Sequence, residues 1–548
     1  MPTAVPAFSD LARQFLDEEH AANPVRASYL GLTAYDDQLD DLSHAAIEAD
    51  AARSAAWIDR FAALDEADLS FDERIDRDLA VASLRERAVY HAWEIWRRQP
   101  DLYLNPGMRG VFVLFLHRLR PEAELAAAAA SRLRQVPANL DAGRANLRPE
   151  MVPVVILERA INQARAGARY VRDLLPADVA EEHRGALADA GAAAADAFES
   201  YAAFLEEMRP AATGEWAFGE ANYTAVLRDA ELLGFDARAL QSRGREQVDL
   251  LLGEMRRLAT EIAGHDDWKR LIDELNRDRP ADPEAMRVGY EDWTERSRQF
   301  LHDRRLVSFP PGEECLVVPS PPFQRPVIAV ASYVAPPHYA ETFRGHFFVP
   351  FPPDGASDED IGKRLESNSY PGIPTTAVHE AYPGHHWHLA MAKTNPSEMR
   401  AEFGTSYFAE GWALYAEEMM TAAGFYDDPR HVFYQVEARL FRAARIVVDT
   451  SLHMGQMGHE EAVAYMLAHS SLTEPTAIAE VTRYCSWPTQ ASSYLTGALE
   501  IARIRDAFFA ARGAEAGDTD TLRDFHDAIA GAGTLPIALA ERAALAKA

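Results

Sequence analysis

Apolar side chains recur at three- and four-residue intervals along most of the chain, a spacing that gathers them on one face of an α-helix. Before residue 306 this pattern predicts helices over residues 8–23, 43–64, 71–98, 121–146, 155–174, 177–208, 236–262 and 283–304. After residue 400 it predicts helices over residues 405–423, 430–457, 459–471, 473–485, 489–512 and 518–530. The segment Tyr103–Gly107 interrupts the pattern with Asn-Pro-Gly and predicts a turn.

The pattern changes between Val307 and Pro353, where prolines alternate with short runs of β-branched and aromatic residues. Three runs predict the strands of a small sheet or hairpin set: Cys315–Val318, Val327–Val330 and His346–Pro350. An extended peptide could bind to an edge strand of this sheet by backbone hydrogen bonds. The alternative is that the sheet is a flap that covers neighbouring residues and has no role in binding. The predicted fold is mainly α, a large multi-helix body of two lobes formed by residues 1–306 and 354–548, with a small β insert over residues 307–353.

Acidic residues outnumber basic ones by 85 to 55, so the 548-residue chain has a formal net charge of −30. Nucleic acids and anionic membranes bind basic surfaces, and the charge therefore argues against both as partners. Two cysteines are too few for a disulfide framework or a cysteine-based zinc site. The N-terminus lacks a basic region followed by an apolar run, and no stretch approaches about 18 apolar residues, so we expect a cytoplasmic protein without a membrane span.

One segment concentrates side chains that can bind a metal ion. Thr375–Ala390 has the sequence TTAVHEAYPGHHWHLA, which contains His379, Glu380, His385, His386 and His388, and the later segment FAEGWALYAEE contains Glu410, Glu417 and Glu418. A His-Glu pair on a helix, a second histidine and a downstream glutamate are the parts of a zinc hydrolase site. We therefore expect one zinc ion here and cleavage of an amide bond. The alternative is a kinked helix with solvated or core histidines.

The spacing of these histidines differs from that of the usual zinc-protease helix, in which two histidines stand four residues apart. Here the fourth position after His379 is Pro383. On a straight helix His385 would face about 120° away from His379, and His386 would lie about 10 Å along the axis. Pro383 cannot donate an N–H, and with Gly384 it predicts a bulge or kink. His385 needs the smaller distortion to rejoin His379, so we favour it over His386 as second ligand.

Each acidic residue of the two segments has an expected role. Glu380 follows His379 directly and is the predicted general base, which takes a proton from water on the zinc ion. Glu410 is the predicted third ligand, because a carboxylate completes a His₂Glu set and leaves a fourth position for water. Glu417 lies two turns further on the same face, where it would orient a ligating histidine or belong to a solvated face.

Hydrolysis also needs a donor for the oxyanion that forms when water attacks a carbonyl. Four polar side chains stand within apolar helical segments and are the candidates: His453, Arg483, Tyr484 and Tyr494. The alternative for each is hydrogen bonding between buried helices.

Four C-terminal segments resemble the bacterial family called domain of unknown function 885: HEAYPGHH, FAEGWALYAEE, RLFRAARIVVDTSLH and EVTRYCSWPTQASSYLTG. The early segments Pro24–Leu32 and DRDLAVASL agree as well, so the resemblance covers nearly the whole chain. This family is similar to zinc metallopeptidases of the glutamate-zincin (gluzincin) type, which are largely helical proteins with a deep cleft. The resemblance implies that His379, Glu380, a histidine of the Pro-Gly-His segment and Glu410 form the site.

We therefore expect a zinc-dependent hydrolase that cleaves an amide bond in a peptide or peptide-like substrate. A helical cleft would admit short or unfolded chains, which favours a processing oligopeptidase or an exopeptidase. Two alternatives stay open: a metal-dependent hydrolase or lyase of a specialised small molecule, such as a modified amino acid, and a non-catalytic homologue that binds the metal or a ligand.

Overall fold

A computed structural model describes residues 7–321, 324–325 and 330–548. The fold is mainly α with a small three-stranded sheet, as the sequence predicts. Contacts divide the chain into two compact units, Met1–Trp216 with Pro337–Glu341, and Ala217–Pro336 with Thr342–Ala548. The division therefore falls at Trp216, whereas the sequence pattern placed it at residue 306. Among the described residues, no helix combines the length and the apolar character that a membrane crossing requires.

The first unit is built from helices, several of which begin at well-formed caps. Ser70 and Glu73 bond each other's backbone N–H groups at the start of the fourth helix, which is a capping box. The helices are α1 (Phe8–Ala22), α2 (Pro24–Tyr29), α3 (His44–Ala62), α4 (Phe71–Ala92), α5 (Ile95–Arg98), α6 (Asn105–His117), α7 (Glu122–Asn146), α8 (Val154–Arg169) and α9 (Arg184–Met208). Both α7 and α8 pack along α9.

The turn predicted over Tyr103–Gly107 is wrong, because α6 begins at Asn105. Pro106 lies in the first turn of this helix, where a missing N–H costs no hydrogen bond. Gly107 is required by packing, since an added Cβ would lie 2.7 Å from Val136 Cγ2. The Asn-Pro-Gly sequence therefore starts a helix and lets it approach α7 closely.

The second unit contains a longer series of helices around the sheet. Its helices before the sheet are α10 (Glu220–Ala225), α11 (Ala237–Ala263), α12 (Trp268–Leu275) and α13 (Pro283–Arg304). Its helices after the sheet are α14 (Asp358–Glu366), α15 (Ile373–Glu380), α16 (His385–Lys393), α17 (Glu398–Glu402), α18 (Ser406–Ala422), α19 (Pro429–His453), α20 (His459–His469), α21 (Glu474–Ser486), α22 (Ser493–Arg512), α23 (Thr519–Ala530) and α24 (Ile537–Leu545).

The sheet has the strand order β1 (Glu313–Pro319), β3 (Phe343–Val349), β2 (Ser332–Val334). Strand β1 is parallel to β3, and β2 is antiparallel to it. The predicted strands Cys315–Val318 and His346–Pro350 coincide with β1 and β3. The predicted strand Val327–Val330 lies, except for its last residue, outside the described residues.

Helices α18 and α22 approach each other backbone to backbone. An added Cβ on Gly411 would lie 2.5 Å from the Cα atom of Gly497, and one on Gly497 would overlap the carbonyl oxygen of Tyr407. Only glycine at both positions permits this distance between the two helix axes. The crossing fixes Glu410, which precedes Gly411, relative to Tyr494, which lies one turn before Gly497.

Candidate metal centre

The His-Glu helix is interrupted where the sequence predicts it. Helix α15 ends at Glu380 and α16 begins at His385, so the interruption is a complete break between two helices. The Gly384 N–H donates to the carbonyl oxygen of Val378 at 3.0 Å. A Cβ on Gly384 would overlap the carbonyl oxygen of His379, so glycine allows the chain to cross directly over the end of α15.

This break brings together three side chains that a straight helix would keep apart. The rings of His379 and His385 have centroids 4.9 Å apart. Glu410 Oε2 lies 3.7 Å from His379 Nε2 and 3.2 Å from His385 Nε2. The three potential ligand atoms all lie within 4.8 Å of one another, and two imidazole nitrogens with one carboxylate form a donor set that suits zinc. We call these three residues the His-His-Glu cluster.

A hydrogen bond from Trp412 stabilises the connection between the two helices. Its indole N–H donates to the carbonyl oxygen of Pro383 at 2.8 Å. Trp412 is fully buried on α18, two residues after Glu410. The helix that carries the carboxylate therefore also holds the loop that orients His385.

Glu417 holds His379 on the side opposite the cluster. Its Oε1 lies 2.7 Å from His379 Nδ1, and both side chains are buried. A carboxylate on one ring nitrogen orients the other nitrogen toward a metal, and here His379 Nε2 faces Glu410. Glu418, by contrast, pairs with Arg439 at 2.7 Å and is 46% exposed, so it belongs to the solvated face.

The charges around His379 favour a cation. Burial acts to lower the pKa of this imidazole, but the nearby carboxylates of Glu410 and Glu417 outweigh burial and raise the pKa to about 9. Burial acts to raise the pKa of Glu410, but the adjacent imidazoles of His379 and His385 hold it well below the usual range. The buried carboxylate of Glu417 and the partly buried one of Glu410 therefore stabilise positive charge at the cluster, whether a proton or a metal ion supplies it.

Glu380 has the environment of a general base. Its side chain is buried, which raises its pKa, while the positive charges of His379, His385 and Arg442 act in the opposite direction. Among the described residues no donor forms a hydrogen bond with its carboxylate. A carboxylate with a raised pKa and no competing donor is suited to accept a proton from water.

The structure places His386 away from the cluster. Its Nε2 lies 2.9 Å from Glu313 Oε2 on β1, and its Nδ1 lies 2.9 Å from the Tyr333 hydroxyl on β2. Glu313 also accepts hydrogen bonds from Arg298 at 2.8 Å and from Tyr382. Both nitrogens of His386 are thus used to attach α16 to the sheet. No motif in the sequence indicates Glu313 or Tyr333, because both come from strands distant along the chain.

Tyr494 is the oxyanion candidate that lies beside the cluster. Its ring is nearly parallel to that of His379, with centroids 6.3 Å apart and an interplanar angle of 15°. Gln490 Nε2 donates to the Tyr494 hydroxyl at 3.4 Å. Arg483 donates to Gln490 Oε1 at 2.9 Å and so holds the side chain that bonds Tyr494.

The other candidates bond to groups outside the cluster. Glu480 accepts from Arg483 and from the Tyr484 hydroxyl, each at 2.8 Å. His453 is fully buried, with Nε2 3.0 Å from the carbonyl oxygen of Tyr484 and 3.5 Å from Asp449 Oδ1. His453 therefore bonds between buried helices, which is the alternative that the sequence left open.

The chain matches the family described as "Bacterial protein of unknown function (DUF885)" over residues 24–543. A solved structure from Shewanella oneidensis, described as a "putative lipoprotein of unknown function", is 21% identical, with a TM-score of 0.77 over 98% of this chain and 99% of that one. A "putative lipoprotein" from Colwellia psychrerythraea is 19% identical, with a TM-score of 0.81 over the same shares of the two chains. These identities show a shared fold, and no curated protein matches the chain. The chain belongs to this bacterial family of unknown function.

Proposed function

We propose that the protein is a zinc-dependent hydrolase that cleaves an amide bond in a peptide or peptide-like substrate. The proposal rests on the convergence of His379, His385 and Glu410, whose ligand atoms lie within 4.8 Å of one another. Two nitrogens and one carboxylate leave a fourth coordination position for the reaction, as catalytic zinc sites require. The positions of Glu380 and Glu417 add a base and a partner that orients a ligand.

The side chains divide the chemistry among them. His379, His385 and Glu410 would hold zinc, which when bound polarises a carbonyl group and lowers the pKa of water. Glu380 accepts a proton from the attacking water and later transfers a proton to the leaving amine. The Tyr494 hydroxyl donates to the substrate oxygen as negative charge develops on it.

The position of strand β2 supports a peptide as the substrate. Among the described residues β2 is an edge strand, and its Tyr333 ring lies 6.4 Å from the His385 ring at an interplanar angle of 19°. An extended peptide that paired with this edge by backbone hydrogen bonds would pass close to the cluster. This arrangement favours a role for the sheet edge in binding a peptide substrate over the alternative, in which the sheet is only a covering flap.

The gluzincin likeness belongs to the same proposal. The order along the chain is a His-Glu pair, a second histidine and a downstream glutamate, which is the order of that type. Here the second histidine lies across a break between helices, so the ligand set is assembled by two helix ends.

A cytoplasmic location likewise stays a prediction, which fractionation of cells that express the chain would test.

Metal analysis combined with one conservative variant tests the function. Purified in the presence of zinc, the protein should contain about one equivalent, and His379→Ala should contain almost none. Glu380→Gln should keep its zinc but hydrolyse a peptide library about 10²- to 10⁴-fold more slowly. Glu418→Gln is the matched control, because this glutamate lies on the solvated face, and it should behave as wild type.

Two results would refute the proposal. One is wild-type protein with less than about half an equivalent of zinc. The other is a Glu380→Gln variant with undiminished activity. Zinc-loaded protein that turned over a small molecule from a metabolite extract, but no peptide, would replace the peptide substrate with the small-molecule alternative.

A further inference from the structure

Two arginines of α19 lie beside the ring that stacks on the cluster. The guanidinium carbons of Arg442 and Arg445 are 5.5 and 4.0 Å from the centre of the Tyr494 ring. That ring in turn lies 6.3 Å from the ring of His379. Positive charge is therefore held next to the site where the amide bond would be cleaved.

Neither arginine has a carboxylate partner. Among the described residues, no carboxylate oxygen lies within 4.0 Å of either guanidinium group. Arg445 is 2% exposed, and its hydrogen bond runs to Gln490 Oε1 at 3.3 Å. The Nε atoms of both arginines are buried without an acceptor. Glu380 and Glu437 act on Arg442, and Glu480 and Asp449 act on Arg445, only from beyond ion-pair distance. A buried guanidinium without a directly bonded carboxylate is costly, so its retention points to an anion that binds there.

Neighbouring arginines show that carboxylates are available to this part of the fold. Arg439, one turn before Arg442, pairs with Glu418 at 2.7 Å, and Arg483 pairs with Glu480 at 2.8 Å. The chain as a whole contains 30 more acidic than basic residues, as its charge of −30 records. The two arginines near Tyr494 are thus unpaired within a strongly acidic protein.

The spacing suits the end of a peptide chain. The guanidinium carbons lie within about 12 Å of the His379 ring, since they are 5.5 and 4.0 Å from the Tyr494 ring and that ring is 6.3 Å from His379. An extended peptide advances about 3.5 Å per residue, so one to three residues span up to about 10 Å. A guanidinium group binds a carboxylate through two parallel hydrogen bonds, which fixes both its position and its orientation. A substrate carboxylate would supply the missing counter-charge and place the scissile carbonyl at the cluster.

We propose that Arg442 and Arg445 bind the C-terminal carboxylate of the substrate, and that the protein releases one to three residues from the carboxyl end of peptides. This inference rests on the proposed function. In the step itself water adds across the amide: the C–N bond breaks, the hydroxyl stays on the carbonyl carbon, and a proton goes to the leaving amine.

Paired substrates test the inference. Zinc-loaded wild-type protein is given N-acetylated pentapeptides of mixed sequence, each as the C-terminal acid and as the C-terminal amide, and products are identified by mass spectrometry. The acids should lose one to three residues, with kcat/KM about 10- to 100-fold higher than that of the amides. Equal cleavage of acids and amides, or cleavage at internal bonds, would overturn the inference while leaving the hydrolase intact.

A binding measurement separates the inference from turnover. Calorimetry on zinc-loaded Glu380→Gln should show the acetylated peptide acids binding about 10- to 100-fold more tightly than the amides. Added to this background, Arg445→Gln or Arg442→Gln should abolish the preference, and Arg439→Gln, the control that pairs with Glu418, should retain it. Arg442 is only partly buried, so this variant decides the matter if Arg445→Gln does not fold. A preference that survives the loss of Arg442 would refute the inference, whereas failure of the hydrolase itself would appear as absent zinc.

Discussion

Glu417 binds no ion in the proposed site, yet it should control zinc affinity. Its carboxylate lies 2.7 Å from His379 Nδ1 and is 1% exposed, so it fixes the ring that presents Nε2 to Glu410. Glu417→Gln keeps the shape of the side chain and removes its charge, and should weaken zinc binding about 10- to 100-fold. Competition with a chelator measures this. Glu418→Gln is the neighbouring control, and equal affinities in the two variants would show that Glu417 has no orienting role.

Tyr494 should contribute to the rate rather than to binding. Its ring lies parallel to that of His379, and among the predicted oxyanion candidates it is the side chain that contacts the cluster. Tyr494→Phe should lower kcat about 10²- to 10³-fold with little change in KM. Tyr484→Phe serves for comparison, because that hydroxyl donates to Glu480 and its loss should cost about 1–3 kcal/mol of stability without a comparable loss of kcat. A change in KM alone would remove Tyr494 from the chemistry.

Single residues differ in how far the sequence identifies them. His379, Glu380, His385 and Glu410 were predicted because residue types with metal chemistry stand close together in two short segments. Arg442 could not be singled out, because the chain has 55 basic residues and the lack of an acidic partner is a property of the folded protein. Sequence shows which groups are present, but partners from other elements decide which of them are satisfied.

The geometry of the site depends on how closely helices α18 and α22 cross. A Cβ on Gly497 would overlap the carbonyl oxygen of Tyr407, a backbone atom that cannot move independently of its helix. Gly497→Ala should therefore destabilise the protein by about 1–3 kcal/mol and reduce zinc content, because the helix that carries Glu410 is pushed away.

Gly253→Ala provides the matched comparison in a helix. Gly253 is exposed on α11, and an added Cβ there would meet no atom within 4 Å. This substitution should stabilise the protein by up to about 1 kcal/mol through helix propensity. Urea unfolding measures both variants. If Gly497→Ala were as stable as Gly253→Ala, the backbone contact would not constrain the two helices.

Among secondary-structure elements, the sequence predicts where a helix is interrupted better than it predicts which residues the interruption brings into contact. Pro383 and Gly384 predict the end of α15 because their effects are local. The same local logic fails at Asn105–Gly107, where proline begins a helix and glycine meets Val136 of another helix. A proline or glycine marks a special position, but only the neighbouring element decides whether it ends a helix, begins one or permits close packing.

For the molecule as a whole, all residues of the proposed chemistry lie in the second unit, from Ala217 onward. The predicted boundary at residue 306 followed the change from helical to strand-like pattern. That change marks no boundary, because Glu313 of β1 bonds His386 and Arg298 and so joins the sheet to helices on both sides of it. The contact-based division at Trp216 falls in the connection between the end of α9 at Met208 and the start of α10 at Glu220, which the helical pattern did not single out.

The acid stability of the second unit should depend on buried neutral histidines. His526 is fully buried, its Nδ1–H donates to the carbonyl oxygen of Leu306 at 2.9 Å, and its Nε2 accepts from the Tyr415 hydroxyl at 3.0 Å. Burial lowers its pKa to about 4, and burial lowers that of His388 to about 3. Unfolded histidines titrate near about pH 6.5. Between about pH 6.5 and 4 the unfolded chain therefore binds protons that the folded chain does not, and stability falls as pH falls.

The slope of stability against pH measures this effect apart from any loss of packing. Each such histidine should contribute about 1.4 kcal/mol per pH unit to the decline of the unfolding free energy between about pH 6 and 4.5. His526→Gln is expected to be less stable at pH 7, because it loses the bonds of the ring, but its slope should be shallower by about that amount. His302→Gln is the control, since this side chain is 72% exposed and its removal should leave the slope unchanged. Urea titrations at half-unit pH intervals give the slopes, and an unaltered slope in His526→Gln would mean that this histidine is protonated within the folded protein.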